Sequence, residues 1–202
     1  MELLIATHNP GKYREYARLL SGLPVRCISP AAAETLLHVD ESGASFRENA
    51  SLKAVANAVA SNRLTLADDS GLEVDALQGR PGVHSARYGG PGLTDTERWQ
   101  LLLSEMKRVP WAERTARFRC VIALATPSGQ VRVADGCCEG LIAFQAAGDN
   151  GFGYDPIFWL PELGCTMAQL DEETKNQISH RARAASLARP LIDRLARAAG
   201  SS

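Results

Sequence analysis

A short apolar run that gives way to a helical pattern within a few residues is the feature that most constrains this chain. Leu3 to Ala6 has the length and composition of a buried strand. The spacing of one helix face then follows in Tyr13, Tyr16, Ala17 and Leu20. The change from strand to helix therefore falls on Thr7 to Lys12, and a strand joined so closely to a helix is typical of an α/β protein.

The residues at this change of pattern suit an anionic ligand. A helix start leaves backbone N–H groups unpaired and carries partial positive charge. Thr7 to Lys12 adds small polar side chains, one glycine and one lysine, which fit a phosphate group. An ordinary turn capped by Thr7 or Asn9 explains the same residues, because the stretch lacks the glycine spacing of a P-loop or a dinucleotide fingerprint.

Charge and cysteine content exclude several classes of protein. The 202 residues include 22 Lys and Arg against 23 Asp and Glu, so the net charge of −1 argues against a nucleic-acid partner. The five cysteines include no CxxC pair, which argues against a disulfide framework and a zinc site. No apolar stretch approaches the roughly 20 residues of a membrane span. We expect a cytoplasmic protein with no membrane partner.

Three helices are predicted from capping signals and apolar spacing. Ser45 with Glu48 and Thr94 with Glu97 each form a capping box, and a third helical region begins near Ser179. The apolar faces that we expect to be buried are Leu52, Val55, Ala56 and Val59 in the first helix, Trp99, Leu102, Leu103 and Met106 in the second, and Leu187, Leu191 and Leu195 in the third. Another face of the first helix carries Asn49 and Lys53 together.

Extended runs alternate with these helices. Beyond the first strand we predict Leu64 to Ala67, Leu72 to Ala76, Arg117 to Ala125, Gln130 to Ala134, and Leu141 to Phe144. A turn at Pro127 to Gly129 joins two of them into a hairpin. Gly79 to Gly92 contains five glycines and two prolines, so we expect a long surface loop there. The pattern predicts one domain over residues 1–202, with two lobes around a mixed sheet.

Two adjacent aspartates follow the run from Leu64 to Ala67. Neighbouring strand side chains point to opposite faces, so Asp68 shares a face with the leucines and Asp69 takes the other. If the leucines face the core, Asp69 is the carboxylate of an open site, where a second acid such as Asp40 or Glu41 could help to hold Mg²⁺. Alternatively, both aspartates are turn and cap residues before a short Ser-Gly pair.

A basic cluster lies near the start of the last helix. Lys175, His180 and Arg181 surround a helix start, where the dipole disfavours cations, and this placement hints at an anionic or electron-rich ligand. The alternative is that Arg181 pairs with Glu172 or Glu173 on the surface.

Two aromatic residues stand between glycines further upstream. Phe152 and Tyr154 could stack on a planar base. Aromatic side chains placed in this way can also simply fill the core. The residues alone leave both interpretations open.

Six motifs in order give the chain a family resemblance. They are "THNPGK" at 7–12, "FRENASLKA" at 46–54, "ADDSGLEVDAL" at 67–77, "GRPGVHSARYGG" at 79–90, "FGYDPIF" at 152–158 and "ISHRARA" at 178–184. Together they resemble the Ham1 family of inosine and xanthosine triphosphate pyrophosphatases. The resemblance implies an α/β fold with an elongated mixed β-sheet, and flanking helices that form two lobes around a central cleft. It also implies a homodimeric, Mg²⁺-dependent enzyme that hydrolyses the purine nucleoside triphosphates ITP, dITP and XTP to monophosphate and pyrophosphate.

The same resemblance assigns roles to individual residues. Asp69 matches the catalytic proton acceptor and a metal ligand, and Asp40 matches a second metal ligand for which Glu41 is a substitute. The substrate-binding positions are Thr7, His8, Asn9, Pro10, Gly11, Lys12, Lys53, Ser70, Phe152, Gly153, Tyr154, Asp155, Lys175, His180 and Arg181. His8 departs from the family pattern, in which many members have glycine.

These assignments lead to a mechanistic hypothesis. Asp69, with Mg²⁺ nearby, orients and deprotonates a water that attacks the α-phosphorus, and Lys12 and the helix start stabilise the leaving pyrophosphate. A donor from Arg181 or a nearby backbone N–H selects a purine with a 6-carbonyl group. The alternatives are a nucleotide sensor without catalysis and a pyrophosphatase for other modified nucleotides.

Overall fold

The chain folds as a mixed α/β protein around one sheet. The structure is a computed structural model that describes residues 1–33, 37 and 39–199. Within these residues seven strands lie in the order β2-β1-β3-β4-β5-β6-β7. The strands are β1 (Glu2–Ile5), β2 (Arg26–Ile28), β3 (Leu64–Val74), β4 (Thr115–Ala125), β5 (Val131–Ile142), β6 (Phe158–Leu160) and β7 (Cys165–Thr166). The helices are α1 (Pro10–Leu19), α2 (Pro30–Ala33), α3 (Phe46–Ser61), α4 (Asp95–Glu105), α5 (Glu172–Ile178) and α6 (His180–Ala199).

Strand directions confirm the predicted mixed sheet. β1 is parallel to β2 and β3, whereas β6 is antiparallel to β5 and β7. The hairpin between β4 and β5 is also confirmed. Its turn places Gly129 at φ +81°, where its N–H donates to the Thr126 carbonyl.

One predicted strand is wrong, because β5 is longer than its apolar residues suggest. The run from Leu141 to Phe144 is not a separate strand, and β5 continues through it to Ile142. Between Ala134 and Cys138 the buried residues of β5 alternate with more exposed ones. This one-sided burial explains the polar stretch that hid the middle of the strand.

The aspartate pair lies inside a strand and not at its end. β3 is continuous from Leu64 to Val74, so the two predicted extended runs are one strand and the turn-and-cap interpretation is wrong. Every residue from Leu64 to Asp69 is buried. Because both faces of this part of β3 are covered, Asp68 and Asp69 must each find polar partners inside the protein.

The chain divides into two compact units, each with its own core. The first comprises the described residues of Met1–Asp69, Cys120–Gly136 and Arg181–Ser202, and the second comprises Ser70–Arg119 and Cys137–His180. Strand residues, α1 and α6 form the core of the first unit, with Leu3, Leu66, Tyr16, Leu20, Ala184, Ala188 and Ile192 among its members. The core of the second unit includes Leu72, Leu102, Met106, Phe118, Tyr154 and Phe158.

The predicted buried face of α3 is wrong. Leu52 and Val59 are 44% and 58% exposed, whereas Ala50, Ala54 and Ala58 are fully buried. Small residues at every fourth position allow close approach of the helix, and the larger apolar side chains lie outside.

The predicted face of α6 is confirmed in part, and that of α4 is confirmed. Leu187 is 59% exposed, whereas Leu191 and Leu195 are half-buried and pack against the core that contains Ala184, Ala188 and Ile192. The inner face of α4 is confirmed, since Leu102 and Met106 are fully buried. The capping box of Thr94 and Glu97 is present, and the Ser45 hydroxyl accepts from the Glu48 N–H.

The glycine-rich stretch after β3 is more ordered than a surface loop. Residues Gly82–Arg87 form a 3₁₀ helix, and Ser85 and Tyr88 are buried. The Ser85 hydroxyl accepts from the Leu72 N–H at 2.9 Å and donates to the Gly82 carbonyl at 2.6 Å. These bonds tie the stretch to β3.

The five cysteines all lie in the described residues, and none of them forms a disulfide. Cys120 and Cys138 are buried and the other three are half-buried. In the described part of the chain, no helix combines the length and the apolar character that crossing a bilayer requires.

Substitutions on the two faces of α3 test its observed orientation. We expect Ala54→Leu to lower the free energy of unfolding by about 1–3 kcal/mol, because it overfills a fully buried contact. Leu52→Ala should change it by less than about 0.5 kcal/mol, since Leu52 is exposed. Urea unfolding followed by circular dichroism measures both, and the reverse ranking would contradict this orientation.

Candidate active site

The residues before α1 form a capped helix start. Asn9 is the N-cap, and its side-chain Oδ1 accepts from the Gly11 N–H at 2.7 Å and the Lys12 N–H at 3.2 Å. The Asn9 N–H in turn donates to Thr7 Oγ1 at 3.2 Å. The N–H groups that were expected to meet phosphate are thus already engaged within the loop.

This capping determines which donors the loop offers. Because Asn9 Oδ1 accepts two backbone N–H groups, its amide orientation is fixed and Nδ2 is left as the donor end of the side chain. The ammonium of Lys12 is the strongest donor of the loop, and its side chain is 17% exposed. His8, Asn9 and Pro10 are all exposed.

Asp68 lies on the face of β3 that meets α1 and α6. Its Oδ2 accepts from Lys12 Nζ at 2.8 Å and lies 3.8 Å from Arg181 Nη2. Arg181 Nη1 also donates to Glu15 Oε2 at 2.5 Å. Two cations and two carboxylates are therefore gathered in a buried network.

Asp69 lies on the opposite face of β3, as the alternation of strand side chains predicts. Asn49 Nδ2 donates to Asp69 Oδ2 at 3.1 Å, and Lys53 Nζ lies 3.5 Å from Asp69 Oδ1. Lys53 Nζ also donates to Glu41 Oε1 at 2.6 Å. Asn49 and Lys53 are one turn apart on α3, so a single helix face presents both to Asp69.

Asn49 also connects Asp69 to the segment before α3. Its Oδ1 accepts from the Gly43 N–H at 2.8 Å. A Cβ at Gly43 would lie 2.7 Å from that oxygen, so only glycine allows this contact without a shift. The residues that follow Glu41 are thereby held close to the carboxylate.

The neighbouring aspartates have opposite pKa shifts. Burial raises the pKa of the Asp69 carboxyl and Glu41 adds to the rise, while Lys53 opposes it without cancelling it. Burial would also raise the pKa of Asp68, but Lys12 and Arg181 together lower it well below its usual value. Asp69 therefore holds a proton more readily than Asp68 does.

The acidic residues around Asp69 offer oxygen donors for a cation. Glu41 and Asp69 both contact the Lys53 ammonium, whereas Asp40 is exposed. Across the described residues, no group of three or more His, Cys, Asp and Glu side chains is arranged as a metal site. A site with one or two carboxylates suits Mg²⁺, which takes its other ligands from substrate phosphates and water.

A second cluster lies on the loop before β6, in the other unit. Asp155 Oδ2 accepts from the Phe152 N–H at 3.0 Å and from Lys175 Nζ at 2.7 Å. Gly151 has φ +78°, and a Cβ there would lie 2.1 Å from Asp155 Oδ2, so the turn requires glycine. The Gly153 N–H donates to Asp95 Oδ2 at 2.9 Å.

The aromatic residues of this loop differ in their surroundings. Tyr154 is buried in the core of the second unit and donates its hydroxyl to the Ser85 carbonyl at 2.9 Å. Phe152 is half-buried, with Lys175 Nζ 4.8 Å from its ring centre. His180 is buried and stacks on Phe118, with the ring centres 4.7 Å apart.

Arg181 is buried, at 1% exposed, and not on the surface as the alternative interpretation assumed. Its partners include Glu15, which accepts a hydrogen bond, and Asp68, which lies 3.8 Å away. Ser70 follows Asp69 on β3 and is half-buried.

Three residues of the first unit that contact predicted site residues were missed as functional candidates. Glu15, Asn49 and Asp68 are all buried and bonded to predicted site residues. The four-residue spacing of Asn49 and Lys53 could have indicated Asn49. No local signal marks Glu15, because its partner lies 166 residues away in the sequence.

The buried and exposed ion pairs of the protein should respond differently to loss of the cation. We expect Lys175→Met to destabilise the protein by roughly 3–5 kcal/mol, since it removes the ammonium that neutralises a carboxylate only 4% exposed. Arg197→Met is the matched control, and it should cost less than about 1 kcal/mol because the Arg197 side chain is 75% exposed. Urea denaturation compares the two, and equal losses would contradict a structural role for the buried pair.

The sequence is similar to that of known proteins over most of its length. The Ham1 family model matches residues 3–190. A dITP/XTP pyrophosphatase of Desulforamulus reducens is 48% identical, over 96% of this chain and 97% of the relative. One of Geobacillus kaustophilus is 50% identical, over 91% and 90%.

Solved structures show the same fold. The Ham1 protein of Staphylococcus aureus is 40% identical with a TM-score of 0.86, over 96% of this chain and all of that one. A HAM1 protein from Coxiella burnetii is 37% identical with a TM-score of 0.84, over the full length of both. The chain belongs to the Ham1 family.

Proposed function

We propose that this protein hydrolyses non-canonical purine nucleoside triphosphates, namely ITP, dITP and XTP, to the monophosphate and pyrophosphate. The observation that carries the proposal is the pair of buried carboxylates on β3, each with its own lysine. Lys12 comes from the loop before α1 and Lys53 from α3. The relatives named dITP/XTP pyrophosphatases support the substrate class.

The two buried carboxylates on β3 favour catalysis over simple binding of a triphosphate. A protein that only binds a triphosphate needs the lysines, whereas buried carboxylates beside them repel the ligand. Asp69 is held in place by Asn49 and Lys53, which suits a general base. A sensor without catalysis needs no base beside the lysine.

The donor set is suited to Mg²⁺. Glu41 and Asp69 already share one cation, Lys53, so this place in the protein is suited to positive charge. We assign Mg²⁺ to Asp69 and Asp40, with Glu41 as a further oxygen donor. Bound there, the metal would neutralise phosphate oxygens of the substrate and so stabilise charge in the transition state.

Individual residues of the chain have separate roles in the proposed reaction. Asp69 accepts the proton of the water that attacks the α-phosphorus. Lys12 Nζ and Asn9 Nδ2 donate to the leaving pyrophosphate, on which negative charge accumulates. The N–H groups of Gly11 and Lys12 act indirectly, because they fix the Asn9 side chain.

Recognition of the nucleoside is assigned to the remaining predicted residues. They are Ser70, Phe152, Gly153, Tyr154, Asp155, Lys175, His180 and Arg181. A donor from Arg181 or a nearby backbone N–H would select purines with a 6-carbonyl group. It would reject adenine, because the 6-amino group of adenine is itself a donor. The bonds of Asp155 to Phe152 and Lys175 support a fixed shape for this loop.

The cellular setting and oligomeric state also belong to the proposal. Five free cysteines are consistent with a reducing cytoplasm. The homodimer is expected from the family resemblance, and exposed apolar side chains such as Trp111 and Phe144 offer surface for an interface.

Removing the proposed base tests the mechanism. We expect Asp69→Asn to lower kcat on ITP by at least about 100-fold, because the amide cannot accept the proton of water. The control is Asp193→Asn, which removes a partly exposed carboxylate from α6 and should retain wild-type kcat. Pyrophosphate release with added Mg²⁺ measures both, and near wild-type turnover of folded Asp69→Asn would contradict the assignment.

A substrate panel tests the specificity. We expect kcat/KM for ITP and XTP to exceed that for ATP by at least about 100-fold, because adenine would leave a buried donor unpaired. GTP is measured in the same series, since it also carries a 6-carbonyl group. Comparable values for ATP and ITP would exclude recognition through a donor at this position.

A further inference from the structure

Asp68 is a buried charge with no place in the mechanism above. Its side chain is 2% exposed, so neither substrate nor bulk water reaches it as the structure stands. Its Oδ2 contacts Lys12 Nζ at 2.8 Å and lies 3.8 Å from Arg181 Nη2. A buried carboxylate that served no purpose would be costly to keep, because an apolar side chain of similar size is often more stable.

The partner of Asp68 is the lysine that the triphosphate meets. Lys12 is 17% exposed, so its ammonium can bind a ligand from solvent while Asp68 remains beneath it. An ammonium has three N–H donors, and the bond to Asp68 uses one of them. A lysine side chain has several rotatable bonds, and an ion pair reduces that freedom before substrate arrives.

We propose that Asp68 is a positioning residue that holds the Lys12 ammonium in the orientation required by the leaving pyrophosphate. This inference rests on the proposed function. Asp68 acts only through Lys12 and does not contact the reacting atoms.

The sign of the kinetic effect follows from the charge of Asp68. Its carboxylate repels the polyphosphate, so removing that charge favours ground-state binding, while loss of the ion pair disfavours it. The two effects change KM in opposite directions, so the net change in KM is small. In the transition state more charge resides on the leaving group, and the misplaced ammonium then lowers kcat.

Asp68→Asn is a suitable variant because Arg181 retains a carboxylate partner. Glu15 Oε2 bonds to Arg181 Nη1 at 2.5 Å, so the buried guanidinium is not stranded when Asp68 is neutralised. Asn also has nearly the same shape as Asp. Urea unfolding establishes the fraction of folded protein at the assay temperature.

A double-mutant cycle with Lys12→Ala separates positioning from other roles. We expect Asp68→Asn to lower kcat on ITP by roughly 10- to 100-fold, with KM changed by less than about threefold. In the Lys12→Ala background the same substitution should change kcat by less than about twofold. A purely structural role leaves kcat of the folded protein unchanged, and a direct catalytic role multiplies with the Lys12 effect, so either result would overturn the proposal.

A second variant keeps the test decisive if Asp68→Asn does not fold. Asp68→Glu keeps the charge but displaces the carboxylate by one methylene, and it should lower kcat only while Lys12 is present. Asp193→Asn again serves as the charge-removal control. If the wild type releases no pyrophosphate from ITP, the proposed function is wrong, whereas an active wild type without coupling excludes only the positioning role.

Discussion

A strand that is buried on both faces and carries two adjacent carboxylates determines how the first unit is built. Asp68 and Asp69 point to opposite sides of β3, and an isolated buried charge costs several kcal/mol. Each side must therefore supply a cation. Lys12 and Arg181 do so on one side and Lys53 on the other, which brings α1, α6 and α3 to fixed positions against the strand.

Local signals predicted the features that depend on neighbours in sequence. The helix after Thr7, the capping box of Thr94 and the hairpin at Gly129 are of this kind. The buried face of α3 was mispredicted because Asn49 and Lys53 must face Asp69, which turns Leu52 outward. Apolar content alone does not reveal this requirement, since Asp69, which imposes it, lies on β3 and not in the helix.

Much of the candidate site could be located from sequence, but its connections could not. Strand alternation correctly placed Asp68 and Asp69 on opposite faces. The bond from Lys12 to Asp68 spans 56 residues and that from Arg181 to Glu15 spans 166, so no short-range pattern in the sequence indicates either bond. The motif before α1 likewise predicts a phosphate loop without showing that Asn9 already occupies its N–H groups.

The opposite pKa shifts of the two aspartates show how one residue type can serve two purposes at adjacent positions. Asp68 is buried but faces two cations, which lower its pKa and favour its charged form. Asp69 shares a single lysine with Glu41, and its affinity for a proton is correspondingly higher. A base must accept a proton and an anchor must not, so environments that push two neighbouring pKa values apart separate these roles. The partners of each carboxylate, more than its place in the motif, thus decide which of the two aspartates is better suited to accept a proton.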